Sequence, residues 1–120
     1  MTDAPLDLPE RHTVLRSFAG HLDAAPTAVY PRLLRALEPR AGAGAGGRFL
    51  SDPAQRLIVV QRGWWYRGEY RVLAENSGSV VQYEIINVAQ VAHWAGTWAA
   101  RSVLTAAPRA FQALLTGLGA

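Results

Sequence analysis

Apolar residues along this chain recur first at strand spacing, then at helix spacing, then at strand spacing again. In His12–Leu22, HTVLRSFAGHL, the residues Val14, Phe18 and Leu22 share one parity, as on one face of a strand. Arg16 and Gly20 fall on that same face. Asp23 to Ala25 close the strand, and Pro26 suits a first helical turn, where its missing N–H is not needed. Val29, Leu33, Leu34 and Leu37 then recur at helical spacing, which predicts a short amphipathic helix to about Leu37. Pro31 is tolerated near its first turn, and Pro39 is expected to stop it.

The middle of the chain reads as consecutive strands. Arg48–Ser51 is a short one, and Asp52-Pro53-Ala54-Gln55 has the signature of a type I turn. Arg56–Gln61, RLIVVQ, is apolar on both parities and is expected to be buried on both faces. Trp64–Ala74 alternates most regularly. Trp64, Tyr66, Gly68, Tyr70, Val72 and Ala74 form one face, and Trp65, Arg67, Glu69, Arg71 and Leu73 form the other. The first is aromatic and the second, charged, is expected to face solvent. Glu75-Asn76-Ser77-Gly78 is a turn, and Val80–Asn87 returns as the partner strand.

After Val88 the spacing is helical. Val103, Ala107, Phe111, Leu114, Leu115 and Leu118 form an apolar stripe, with Trp94, Trp98 and Arg101 leading into it. A helix from about Trp98 to about Thr116, kinked at Pro108 and ended by Gly117 and Gly119, is expected. The predicted fold class is α+β. An antiparallel twisted sheet of about five strands wraps around the long C-terminal helix, with a short helix after the first strand. Residues 1–11, with Pro5 and Pro9, read as a flexible lead-in, and residues 12–120 as a single domain.

Composition narrows the function classes. The chain has 120 residues, room for one domain, and contains no cysteine, which excludes disulfides, thiolate metal sites and thiol nucleophiles. All 12 basic residues are arginine, against nine acids, for a net charge of +3. The pI near 10.0 invites a nucleic-acid reading. The arginines are spread along the whole chain, however, and on the strand Trp64–Ala74 Glu69 sits between Arg67 and Arg71, so no nucleic-acid partner is expected. No apolar run is long enough for a membrane span, and the acidic, proline-bearing start does not read as a signal peptide. A cytoplasmic location follows as the expectation.

Recognised catalytic motifs are sparse. Gly42, Gly44 and Gly47 fit G-x-G-x-x-G, but a helix precedes them and a strand follows, the reverse of a dinucleotide-binding turn, so residues 40–47 read as a linker. His12, His21 and His93 have no metal-ligand spacing, and no metal or cofactor is implied. The aromatic face Trp64, Tyr66 and Tyr70, joined by Trp94 and Trp98, is either core or the lining of a site for a flat apolar molecule. Arg16, on an apolar face, either points inward towards Glu84, Glu69 or an anionic ligand, or reaches out to water from an edge strand. Arg101 is placed to meet a ligand carboxylate or to be solvated. His93, beside Trp94, is a candidate acid or base.

The strand entering Asp23-Ala24-Ala25-Pro26-Thr27-Ala28-Val29-Tyr30, the hairpin Trp64–Asn87 and the apolar C-terminal helix together resemble the START-like helix-grip superfamily, which includes polyketide cyclase-like and Bet v 1-like proteins. Members usually have six or seven strands, so five would make this a shortened member. The resemblance implies a pocket for an apolar, lipid- or polyketide-like ligand between sheet and C-terminal helix. It carries over no universal catalytic residue. Three functions stay open: binding of a small apolar or aromatic ligand by Trp64, Tyr66, Tyr70, Trp94, Trp98, Arg16 and Arg101; self-association, for instance as a homodimer, through Trp94, Trp98 and Trp65 over a collapsed cavity; and cyclase- or dehydratase-like catalysis using His93, Glu84 or Arg101.

Overall fold

The computed structural model describes residues 7–41 and 48–119. Strand β1 (Thr13–Leu22) leads into helix α1 (Pro26–Ala41), and four strands follow: β2 (Arg48–Asp52), β3 (Leu57–Arg62), β4 (Tyr66–Glu75) and β5 (Gly78–Asn87). Helices α2 (His93–Ala99) and α3 (Arg101–Leu118) complete the chain. All neighbouring strands are antiparallel, in the order β1-β5-β4-β3-β2, so β1 and β2 are the edges of an open five-stranded sheet. The glycine-rich match at Gly42, Gly44 and Gly47, and the first six residues of the expected lead-in, lie outside the described residues.

Turn chemistry sets the strand register. Asp52 accepts from the backbone N–H of Gln55 (3.2 Å), and its carboxylate accepts from that of Ala54 (3.1 Å), closing the turn between β2 and β3. Asn76 adopts φ 52° in the tight turn that pairs Glu75 with Gly78, and this pairing places Tyr70 opposite Tyr83. Ile58 and Phe18 extend the row across β3 and β1. This inner face carries Tyr66, Tyr70, Val72, Val81, Tyr83 and Ile85 against Val29, Leu33 and Leu37 of α1 and Ala107, Phe111, Leu114, Leu115 and Leu118 of α3. Gly20 of β1 lets α3 approach closely, because a Cβ there would collide with Leu115.

The other face departs from the solvent-side expectation. Arg67 is fully buried and Glu69 is 4% exposed, among the apolar side chains of Leu57, Val59 and Ile86. Arg67 Nε donates to Glu69 Oε2 (2.8 Å), Arg67 Nη1 to Gln61 Oε1 (2.9 Å), and Arg71 Nη1 to Glu69 Oε1 (3.1 Å). The stretch Asp7–Arg11 lies against this side. The Asp7 carbonyl accepts from Arg67 (3.3 Å), and Arg11 and Gln90 exchange hydrogen bonds through each other's carbonyls (3.2 and 2.8 Å).

Three element boundaries also differ from expectation. Helix α1 continues through Pro39 to Ala41, since a proline in a final turn forfeits a single i→i−4 bond. Strand β4 begins at Tyr66, because Gly63 (φ 64°), Trp64 and Trp65 form the turn after β3. The C-terminal helices part at Ala100, whose ψ of −8° departs from the helical value, while α3 runs on through the exposed Pro108.

Candidate functional site

Helix α3 crosses the inner face of the sheet on the stripe Val103, Ala106, Ala107, Ala110, Phe111 and Leu114, one side of a helix at i, i+3, i+4, i+7, i+8 and i+11. Three of these six are alanine. Their small side chains leave a cavity of about 430 Å³ between α3 and the sheet, inside the roughly 300–1,000 Å³ range of small-molecule sites. The sheet supplies Val60 and Arg62 from β3, Tyr66 and Tyr70 from β4 and Tyr83 from β5, and α1 closes one end with Leu37. Arg62, Ala106 and Ala110 are solvent-exposed, so the cavity opens along that side.

Its wall is an aromatic stack. The Tyr70 and Tyr83 rings are 4.4 Å apart and 11° from parallel. On the opposite side Tyr83 meets Phe111 (5.8 Å) and Phe18 (5.9 Å), which also meet each other (5.7 Å). Trp65 meets the Tyr66 ring edge-on at 5.5 Å. Such contacts favour offset and tilted rings and hold them rigidly.

The hydroxyls converge where Gly68 has no side chain. A Cβ at Gly68 would collide with the Tyr66 hydroxyl, so glycine here lets Tyr66 lean over its own strand towards Tyr83. The Tyr66 and Tyr83 hydroxyls are 2.6 Å apart. Burial, then the neighbouring Tyr70 and Tyr66, push the Tyr83 hydroxyl far above the ordinary tyrosine value. The phenol therefore stays neutral, a donor and acceptor and never an anion near neutral pH. Arg62 stands at the mouth with its guanidinium carbon 5.0 Å from the Tyr66 ring centre.

The structure separates the seven residues that the sequence pattern grouped. Tyr66 and Tyr70 line the cavity. Trp64 does not; the turn at Gly63 takes it out of the strand's parity, and it is 54% exposed. Trp94 and Trp98 lie on α2, 71% and 64% exposed, away from the cavity lining. Arg101 stacks over Trp98 (5.3 Å). Arg16 shares the register of the inward Ile85, but β1 is an edge strand with a bulge between Val14 and Arg16. Its side chain is exposed, donates to the Leu15 carbonyl (2.7 Å) and lines a shallow depression with Arg101, Leu104 and Thr105. Neither proposed carboxylate partner reaches it: Glu69 takes Arg67 and Arg71, and Glu84 accepts from Ser17 (3.2 Å) on the outer face.

The groups considered for catalysis also stand outside the cavity. His93 Nδ1–H donates to the Ala89 carbonyl (2.6 Å), and Nε2 shares a hydrogen bond with the Thr13 hydroxyl (2.9 Å). This histidine fastens the start of α2 to β1. Among the described residues lining the cavity there is neither carboxylate nor imidazole; its polar groups are three phenols and Arg62. Among the described residues, no cluster of three or more histidine, aspartate or glutamate side chains could hold a metal ion, and no helix is long and apolar enough to cross a membrane.

No protein-family model matches the chain, and no curated protein does. Among solved structures, the chain is similar to the crystal structure of TTHA0849 from Thermus thermophilus, with a TM-score of 0.51 and 15% identity over 90% of this chain and 94% of that one. Likeness at this identity speaks to the fold: a five-stranded antiparallel sheet carrying a long C-terminal helix.

Proposed function

We propose that this chain is a short helix-grip domain of the START-like superfamily that binds a small apolar or aromatic molecule, lipid- or polyketide-like, between its sheet and α3. The observation that carries the reading is the cavity of about 430 Å³ walled by Tyr66, Tyr70, Tyr83 and Phe111. Flat rings, aliphatic walls and a few converging hydroxyls suit a ligand that is mostly hydrocarbon with a polar atom or two. A cytoplasmic location fits a cysteine-free chain with this role. Ala110→Phe provides the test, because it fills the cavity from a solvent-facing helix position and leaves the core of α3 untouched. Naphthalene derivatives should bind the wild-type protein in calorimetric titrations and lose at least about tenfold in affinity to Ala110→Phe. Equal binding by the two proteins would place the ligand elsewhere and overturn the proposal.

Self-association is a second reading, favoured by α2. Val91, Trp94 and Trp98 are 82%, 71% and 64% exposed, and Arg101 lies over Trp98. A patch holding both aromatic rings and a cation is self-complementary across a two-fold axis, with the arginine of one copy over the tryptophan of the other. Light scattering should then show a dimer that Trp94→Ser/Trp98→Ser dissociates. A monomer at high concentration rejects this reading and leaves the cavity reading intact.

A further inference from the structure

We infer that the ligand carries a carboxylate, held at the cavity mouth by Arg62 while its hydrocarbon part lies against the tyrosine stack. The inference rests on the cavity reading above and narrows it to one chemical class, amphipathic organic acids.

The mouth is one-sided in charge. Among the described residues, Arg62 is the only charged one lining the cavity. No carboxylate of the described residues lies within ion-pair distance of it, whereas Arg67 and Arg71 are both satisfied by Glu69. Helix α3, which forms the opposite lip, contains no acidic residue. A guanidinium remains charged at every physiological pH and presents a planar fork that matches a carboxylate in two parallel hydrogen bonds.

Position adds to charge. Arg62 ends β3 directly opposite Tyr66, the first residue of β4. It is on the inner-face parity of Ile58 and Val60, so its stem leaves the sheet on the cavity side. The Tyr66 ring beneath the guanidinium restricts its motion and replaces part of its water. The same tyrosine meets Tyr83 through its hydroxyl deeper in the wall. A cation at the lip and neutral hydroxyls within define an axis: anionic head outward, rings or chain inward, any carbonyl or hydroxyl of the ligand facing the phenols.

A matched pair of probes separates this inference from the reading on which it rests. 2-Naphthoate and 2-naphthamide have the same rings and nearly the same size, and only the first is charged. Calorimetric titration of the full chain should show the naphthoate binding about tenfold more tightly, the effect of a hydrogen-bonded ion pair at a partly desolvated site. Arg62→Gln should bring the two affinities within about twofold by weakening the naphthoate more than the amide, and Arg62→Lys should restore part of the preference. Ala110→Phe should weaken both. Equal affinities in the wild-type protein would overturn the carboxylate inference and leave the cavity reading standing. A preference that survives Arg62→Gln would overturn the role of Arg62. Failure of both probes to bind would overturn the inference together with the cavity reading.

Discussion

Glu69 is the side chain whose removal should be felt most in stability. Its two oxygens accept from Arg67 and Arg71, and Arg67 is entirely out of water. Glu69→Ala removes the carboxylate that pairs with the buried Arg67 guanidinium, which also donates to the Gln61 side chain and the Asp7 carbonyl. The expected cost is about 3–5 kcal/mol by urea unfolding. Replacing both partners, Arg67→Met/Glu69→Leu, should cost no more than about 1 kcal/mol, because desolvation of both ions is then avoided. A double variant as unstable as the single one would reject this account. Local pattern could not have shown the burial. Arg67, Glu69 and Arg71 alternate as a solvated strand face does, and what covers them includes a stretch 60 positions earlier, where Asp7 meets Arg67. Tyr66 and Tyr70 were legible as a pair because parity alone joins them. Arg62 carries no distinguishing local pattern, being one arginine among 12.

At the scale of elements, period-two and helical spacing located every strand and the first helix, and the errors cluster where a neighbouring element decides. Trp64 has the right parity for the aromatic face, yet Gly63 in a left-handed conformation ends the pairing before it. Tyr83 belongs to the site through register. Once Asn76 and Ser77 are recognised as a tight turn pairing Glu75 with Gly78, Tyr70 must face Tyr83, so this residue was within reach of the sequence, though not of one strand taken alone. The C-terminal helices part for a reason no spacing reveals. Helix α2 is tied to the sheet by Asn87, whose amide donates to the His93 carbonyl (2.7 Å), and by His93 itself, whereas α3 takes its direction from the stripe Ala107 to Leu118. Two anchors with different orientations require a bend between them, and it falls at Ala100, leaving Pro108 inside a continuous α3.

For the whole molecule, the corner where β1 passes into α1 joins the layers, and its strength should depend on pH. His21, near the end of β1, bonds Glu75 at the end of β4 through Nδ1 (3.1 Å) and Asp23 in the loop before α1 through Nε2 (2.9 Å). Ser79, near the start of β5, donates to the Ala24 carbonyl (2.6 Å) at the same corner. The hydrogen bond to Glu75, followed by that to Asp23, raises the histidine above its ordinary value, against a smaller opposing effect of desolvation. A folded-state value above the unfolded one means that folding takes up protons here. The stabilisation is therefore complete below the unfolded histidine value and fades as pH rises through the folded one. His21→Gln keeps a side chain able to hydrogen-bond but removes the charge. Its melting temperature should fall short of the wild-type value most at about pH 5.5, where the carboxylates are still ionised, and match it by about pH 9. NMR titration should show the His21 ring with a midpoint above the ordinary histidine value. A deficit that grows with pH, or is constant across the range, would mean that the clasp acts through shape and hydrogen bonding alone, with no part for the proton.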